Sequence, residues 1–123
     1  MHSEWVEVKK EVIEKIIVAK NKSERIITVG TTTTRTLESV FNSLKDDKKI
    51  KDYRAWVNIF IYPGYKFKIV DAMVTNFHLP KSTLLMLISA FVGKDKIDKA
   101  YKEAIREKYR FFSYGDAMLI KKT

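Results

Sequence analysis

The chain has 123 residues, 46% hydrophobic and 32% charged, the balance of one globular domain and not of a disordered tail. It has no cysteine and two histidines, His2 and His78, which excludes a disulfide framework, Cys-ligated zinc, an iron–sulfur centre and a thiolate nucleophile; no metal site is expected. Lys+Arg 24 against Asp+Glu 15 gives +9, an excess that attracts phosphate backbones and other anionic partners.

Trp5 to Val8 read as a short strand. Val12, Ile13, Ile16, Ile17 and Ala19 then recur at helical steps, with Glu11 and Lys15 paired on the polar side, so an amphipathic helix is expected over 9–20. Arg25 to Val29 is rich in β-branched residues and is expected as the central strand of a sheet. It ends at Gly30 and four threonines, after which Leu37, Val40, Phe41 and Leu44 mark a second helix. Asp46 to Arg54 read as a charged, solvated connection. Val57 to Tyr62 and Lys66 to Val70 read as strands, with Pro63-Gly64 placed to join them as a hairpin, and Met73 to Pro80 read as irregular. A buried helix, Leu84 to Phe91, is expected behind a Ser82 or Thr83 cap. Another opens at Asp95 and Asp98 in capping-box style, and Ala117 to Ile120 are a last strand. This order of elements predicts an α/β fold: a mixed, largely parallel or barrel-like sheet flanked by helices, in a single domain over 1–123. The start is neither basic nor followed by an apolar stretch, and the longest apolar run, Leu84 to Ala90, is too short to span a membrane. A cytoplasmic location with no membrane partner is therefore expected.

Three constellations carry candidate chemistry. Gly30-Thr31-Thr32-Thr33-Thr34-Arg35 sits where a strand turns into a helix, so backbone N–H groups, the helix dipole, hydroxyls and Arg35 suit an anion, phosphate and carboxylate alike. The plainer alternative is a polar helix start with Arg35 on a solvated face. It is not a Walker motif, because no Gly-Lys-Ser/Thr follows. Asn76-Phe77-His78-Leu79-Pro80-Lys81-Ser82-Thr83 gathers an imidazole, an amide, an ammonium and two hydroxyls. His78 has the chemistry to shuttle a proton near neutral pH, and Lys81 to meet an anion; the alternative is a turn in which His78 satisfies a backbone carbonyl. In the third, Gly115 permits a positive φ, and Asp116 beside Arg110 can orient a hydroxyl or simply close an Asx turn. His2 and Glu4 are ambiguous near the N-terminus. Dispersed lysines interleaved with Tyr53, Tyr65, Tyr101 and Tyr109 make nucleic acid a plausible partner on weak grounds.

The segments Met1 to Trp5 (MHSEW), Val29 to Ser39 (VGTTTTRTLES), Ile59 to Phe91 (IFIYPGYKFKIVDAMVTNFHLPKSTLLMLISAF) and Tyr109 to Ile120 (YRFFSYGDAMLI) together resemble the S-adenosylmethionine:tRNA ribosyltransferase-isomerase family of queuosine biosynthesis. The resemblance covers nearly the whole chain but only the C-terminal part of the family's longer, two-domain proteins. It implies that the family's N-terminal part and inserted β-barrel domain lie outside this sequence, and that Met1 is not the start of the enzyme. The match departs mainly between Phe41 and Trp56, where Ala55-Trp56-Val57-Asn58 replaces an expected glycine before the IFIYPG strand.

The reaction this resemblance implies moves the ribosyl group of S-adenosylmethionine, with isomerisation, onto 7-aminomethyl-7-deazaguanine in tRNA, giving epoxyqueuosine-tRNA. S-adenosylmethionine is a consumed co-substrate, and no permanently bound cofactor is implied. With the resemblance in hand, His78 becomes the leading general acid/base. Thr31, Thr32, Thr33, Thr34 and Arg35 become a pocket for the methionine carboxylate or a tRNA phosphate. Tyr62 and Tyr65 become stacking or steering groups for a base. Asn76 and Asp116 become substrate-binding candidates, with Asp116 placed to hold a ribose or base edge. His2 and Glu4 are second-rank site candidates, and Lys66, Lys81 and Arg110 are candidates for tRNA phosphate. Self-association through surface left bare by the absent part is also expected. The competing reading is a non-catalytic, basic, nucleic-acid-binding α/β module, which would need neither GTTTTR nor NFHLPKST.

Overall fold

The computed structural model describes residues 3–46, 49–79 and 82–122. Its elements run β1 (Glu4–Val8), α1 (Lys10–Asn21), β2 (Ile27–Val29), α2 (Thr31–Asp46), β3 (Tyr53–Val57), β4 (Ala72–Asn76), α3 (Thr83–Val92), α4 (Lys94–Arg106) and β5 (Ala117–Lys121). The mixed α/β class holds. The strands form two sheets: β1 pairs antiparallel with β3, and a second sheet has the order β2-β4-β5. Only the β2–β4 pairing is parallel among the described residues, so the sheet is mixed and not largely parallel or barrel-like there. The two crossovers differ in consequence: the chain from β2 through α2 re-enters beside it in the same sense, whereas α3 and α4 return the chain to β4 from the opposite end.

The central strand is β4, not the 25–29 segment. β2 lies at the sheet edge with Ile27 and Val29 exposed and only Thr28 buried. Alternation explains the arrangement. Thr28, Met73, Thr75 and Ile120 are buried on one face, while Ile27, Val29 and Leu119 stand exposed on the other. Helices cover the first face: α2 packs against β2 and β4, and α3 against β5 and α4. Ile61, Phe67, Met73, Phe77, Leu87, Ile88, Phe91 and Tyr101 are part of the shared core.

The expected hairpin over 57–70 is absent. β3 instead runs from Tyr53 to Val57, and residues 58–71 hold no strand although Ile61, Phe67, Ile69 and Val70 are buried. Side chains from α2 take the place of a ladder. Arg35 donates to the Ile59 carbonyl from Nε at 3.2 Å and Nη2 at 3.1 Å. The Glu38 carboxylate accepts from the N–H groups of Lys68, Ile69 and Val70 at 2.8, 3.0 and 3.1 Å. With those backbone groups already satisfied, the segment has no need of a partner strand. Pro63-Gly64 does form a turn, closed by Tyr65 N–H on the Tyr62 carbonyl at 3.1 Å.

Local signals set the remaining boundaries. Asp52, from the supposedly solvated connection, accepts from the first N–H of α1 at Lys10, 2.8 Å away. Ser82 caps α3 by accepting from Leu85 N–H at 3.1 Å, and Leu87, Ile88 and Phe91 of that helix are buried as expected. Gly93, at φ +94°, both ends α3 and precedes α4, so α4 starts at Lys94 without the Asp95–Asp98 capping box. No helix among the described residues is long and apolar enough to cross a membrane.

Candidate functional site

The parallel β2–β4 pairing is what assembles the site. Gly30 N–H donates to the Val74 carbonyl at 2.8 Å, extending the ladder past the end of β2. The Gly30–Thr33 turn and the Asn76–His78 segment therefore leave the sheet at the same, carboxyl, edge. β5 enters there too, since Ala117 opposes Asn76, which brings Asp116 alongside. Crevices outside the carboxyl ends of parallel strands are where open α/β sheets bind ligands.

The threonine run divides. Thr34 is fully buried: its N–H and hydroxyl both reach the Gly30 carbonyl, and its Oγ1 lies 2.7 Å from Thr28 Oγ1. Thr32 and Thr33 are exposed and Thr31 is half-buried at the start of α2, where the first N–H groups have no intrahelical acceptor. Thr32 Oγ1 donates to Glu4 Oε1 at 3.3 Å, and Arg35 Nη1 lies 3.8 Å from Glu4 Oε2, so Glu4, Thr32 and Arg35 are joined where β1 meets α2. Arg35 is only 4% exposed. Its guanidinium faces Ile59 and Glu4 and not solvent, so the solvated face considered for it is overturned.

His78 is half-buried. Its backbone N–H donates to the Tyr101 hydroxyl at 2.8 Å, and its Nε2 lies 2.9 Å from the hydroxyl of buried Thr75. Burial pushes the imidazole pKa below its ordinary 6.5, so the ring is neutral at pH 7 and able to accept a proton. Phe77, one residue earlier, anchors the segment by stacking on Phe111 and meeting Tyr101 edge-on.

Asn76 Nδ2 donates to the Asp116 carbonyl at 3.3 Å. The Asp116 carboxylate accepts from Arg110 backbone N–H at 2.6 Å, and from Nε and Nη2 at 3.2 and 3.3 Å. The Arg110 side-chain hydrogen bond, then its backbone N–H, holds the Asp116 carboxyl below the usual range. Asp116 and Arg110 thus clasp the 110–116 loop.

The 62–66 turn is not drawn into this edge by any of these bonds; Pro63 instead lines a cleft of about 330 Å³ with Ser82, Leu85, Met86, Ser89, Lys94 and Asp98. Tyr62 and Lys66 are exposed. Tyr65 is committed inward: its hydroxyl donates to Glu38 Oε1 at 2.8 Å and accepts from Asn42. Burial first, then the Glu38 carboxylate, raises the Tyr65 phenol pKa well above its ordinary value. His2 and Lys81 lie outside the described residues, as does Pro80.

Glu38 and Thr75 were not singled out from sequence, and Tyr101 was noted only among the aromatics interleaved with lysines. Glu38 carried a signal: a carboxylate flanked by Leu37 and Val40 on a helix's apolar stripe is buried only if the fold supplies donors. Thr75 carried none, and nothing in the sequence ties Tyr101 to His78, since each becomes relevant through a contact with that residue.

A strand–turn–helix mouth, a neutral half-buried imidazole and a clasped loop thus meet at one sheet edge of a mixed α/β fold. The chain belongs to the queuosine biosynthesis protein family, whose model matches residues 1–120. It is 58% identical over 120 residues to the S-adenosylmethionine:tRNA ribosyltransferase-isomerase of Halothermothrix orenii, and 59% over 121 residues to that of Natranaerobius thermophilus. Each match covers 98% of this chain and 34% of the relative, so the chain spans about a third of their length. The crystal structure of S-adenosylmethionine tRNA ribosyltransferase from Thermotoga maritima matches with a TM-score of 0.86 at 50% identity, over 94% of this chain and 40% of that one.

Proposed function

We propose that this chain is the part of an S-adenosylmethionine:tRNA ribosyltransferase-isomerase that holds its proton-transfer group and part of its substrate pocket. The whole protein would transfer and isomerise the ribosyl moiety of S-adenosylmethionine onto 7-aminomethyl-7-deazaguanine in tRNA, with loss of adenine and methionine, in the cytoplasm. The observation that carries this reading is the placing of His78, neutral and half-buried, at the same sheet edge as the Gly30–Thr33 turn, in a chain of this family. A sulfonium acidifies the protons on the adjacent ribose C5′, so a neutral base at that position can begin the chemistry. His78 is that base; Thr75 and Tyr101 fix its ring and backbone. Thr31, Thr32 and Thr33 present backbone N–H groups, and Thr31 and Thr33 their hydroxyls, to an anionic group, the methionine carboxylate or a tRNA phosphate, while the Thr32 hydroxyl is held by Glu4. Thr34 supports that turn from inside, and Arg35 ties α2 to the Ile59 carbonyl and to Glu4. Tyr62 and Lys66 form a second, exposed place for tRNA, and the bare sheet face at Ile27, Val29 and Leu119 is where self-association would act.

The test is a chimera in which this chain replaces the matching third of the Halothermothrix orenii protein, assayed for adenine release with precursor tRNA. Turnover is expected from the chimera and none from the 123-residue chain alone, because such a reaction needs groups held to within about half an ångström by supporting residues from the rest of the protein. A folded chimera that binds S-adenosylmethionine and tRNA but releases no adenine overturns the reading and favours a binding module.

A further inference from the structure

The 109–116 loop separates two neighbouring phenylalanines. Phe111 turns inward and stacks on Phe77, with centroids 5.2 Å apart, while Phe112 turns outward and is 44% exposed. Tyr114, 70% exposed, stands beside Phe112 with ring centroids 6.2 Å apart and planes at 73°. The pair forms an open corner of two aromatic rings. It lies at the carboxyl edge, because Phe112 N–H donates to the Phe77 carbonyl at 2.9 Å, next to His78.

The backbone reaches this arrangement against its own preference. Phe112 sits at φ +57°, a region that bulky side chains avoid at a cost of about 1–2 kcal/mol. Core packing does not compensate, since Phe112 is 44% exposed and is not part of the buried core. The loop is fixed around it: Arg110 clasps Asp116, and a Cβ at Gly115, where φ is +118°, would come within 3.2 Å of the Arg110 guanidinium. A strained residue held in place by its surroundings, with its side chain unused by the core, is an argument for a ligand. The charges of Arg110 and Asp116 are engaged with each other, so the corner offers flat π surface and not charge.

We propose that Phe112 and Tyr114 form a stacking site for a purine-type ring, one face lying on one aromatic and an edge against the other. A bicyclic base covers such a corner more fully than a pyrimidine. The inference rests on the proposed function only in that this reading supplies two rings of this kind, the adenine of S-adenosylmethionine and the deazaguanine of the tRNA; the stacking chemistry is common to both.

The experiment titrates the 123-residue chain with adenosine, 7-deazaguanosine and uridine, followed by ring-proton shifts in NMR spectra. Phe112→Gly and Tyr114→Leu are compared with the parent. Glycine accepts the positive φ, so Phe112→Gly removes the ring while relieving the backbone, and a thermal melt unchanged or raised verifies its fold. Upfield shifts of the purine protons are expected, with purine dissociation constants raised about ten-fold or more in both variants and uridine weak throughout. Binding of adenosine alone assigns the corner to S-adenosylmethionine; binding of 7-deazaguanosine alone assigns it to tRNA. Purine binding equal in parent and variants, or no purine shift in the folded parent, overturns the proposal. The readout does not involve turnover, so it stands or falls separately from adenine release by the chimera.

Discussion

In α2, the polar side chains of Thr34, Arg35 and Glu38 are buried and directed at the protein's own carbonyl, hydroxyl, carboxylate and N–H groups. At the end of β4, His78 is half-buried, with its ring on Thr75 and its backbone on Tyr101. Both stretches read as polar motifs, and the fold uses them differently. A buried polar group must find fixed partners, and once it has them it is a strut. A half-buried titratable ring keeps a choice of protonation state, which chemistry requires. Among the described residues no buried side-chain nitrogen or oxygen lacks a partner, so the distinction lies in exposure and in what the partners are.

The strongest way to break this comparison is to remove the best-held strut. Glu38→Ala strips the acceptor from three backbone N–H groups and the Tyr65 hydroxyl in a site with no solvent access. A buried donor left without its acceptor costs about 1–3 kcal/mol, and several are left at once, so the midpoint of urea unfolding should drop sharply or the chain should fail to fold. Glu38→Gln keeps the shape and one carbonyl acceptor and should lose less. A loss below about 1 kcal/mol in Glu38→Ala would mean that water serves the 68–70 backbone as well as the carboxylate does.

The converse variant is His78→Ala in the chimera, where the expected loss falls on rate. Proton transfer by a placed side chain is worth about 10²–10⁴-fold, and turnover should drop by that range while S-adenosylmethionine binding and thermal stability change little. Because burial lowers the imidazole pKa below 6.5, the base form persists into mildly acid solution, and the acid limb of the kcat/KM profile should fall below that value. Unchanged turnover in the variant would remove His78 from the chemistry.

The uneven legibility of the fold has the same physical origin. Helices α1 to α4 and strands β1 and β5 follow from apolar periodicity and terminal residues such as Ser82 and Gly93. Periodicity failed over 57–70, where the alternation of Ile59, Ile61, Phe67 and Ile69 is real but Arg35 and Glu38, far away in sequence, take up the backbone groups a ladder would use. It also misjudged β2, because β-branched residues suit an edge strand with one bare face as well as a central one, and only the pairing partners decide. The site motifs could be read from residue type, and the resemblance tied them to one family. Their meeting at one edge depends on the parallel register Val29↔Val74 and the antiparallel register Asn76↔Ala117, which no local pattern specifies.

The smallest expected effect tests the middle of the scale, at the opposite end of the sheet. Asp71 precedes β4 and lines a cleft of about 450 Å³ with Lys20, Arg25 and Lys122. Both its oxygens lie 2.7 Å from Lys20 Nζ, and one accepts from Ile26 N–H at 2.8 Å. Burial by itself would raise this carboxyl's pKa, but the Lys20 hydrogen bond, the Ile26 N–H and the charges of Lys20 and Lys122 outweigh it, so the pKa lies below 3.8. The unfolded chain therefore takes up the proton first as the solution is acidified. The pair's contribution to stability is complete above about pH 4 and is lost as the pH falls through the folded value. Lys20 and Asp71 are both partly exposed, so the contribution is at most about 1 kcal/mol. The measurement is urea unfolding at pH 6 and pH 3 for the parent and Asp71→Asn. The acid-induced loss should be smaller in the variant by that amount, and the parent's advantage at pH 6 should shrink in high salt. Equal acid losses in the two proteins would show that solvent screens Asp71 as fully as any surface carboxylate, and would leave the buried Glu38 as the one carboxylate of this pair that holds the fold.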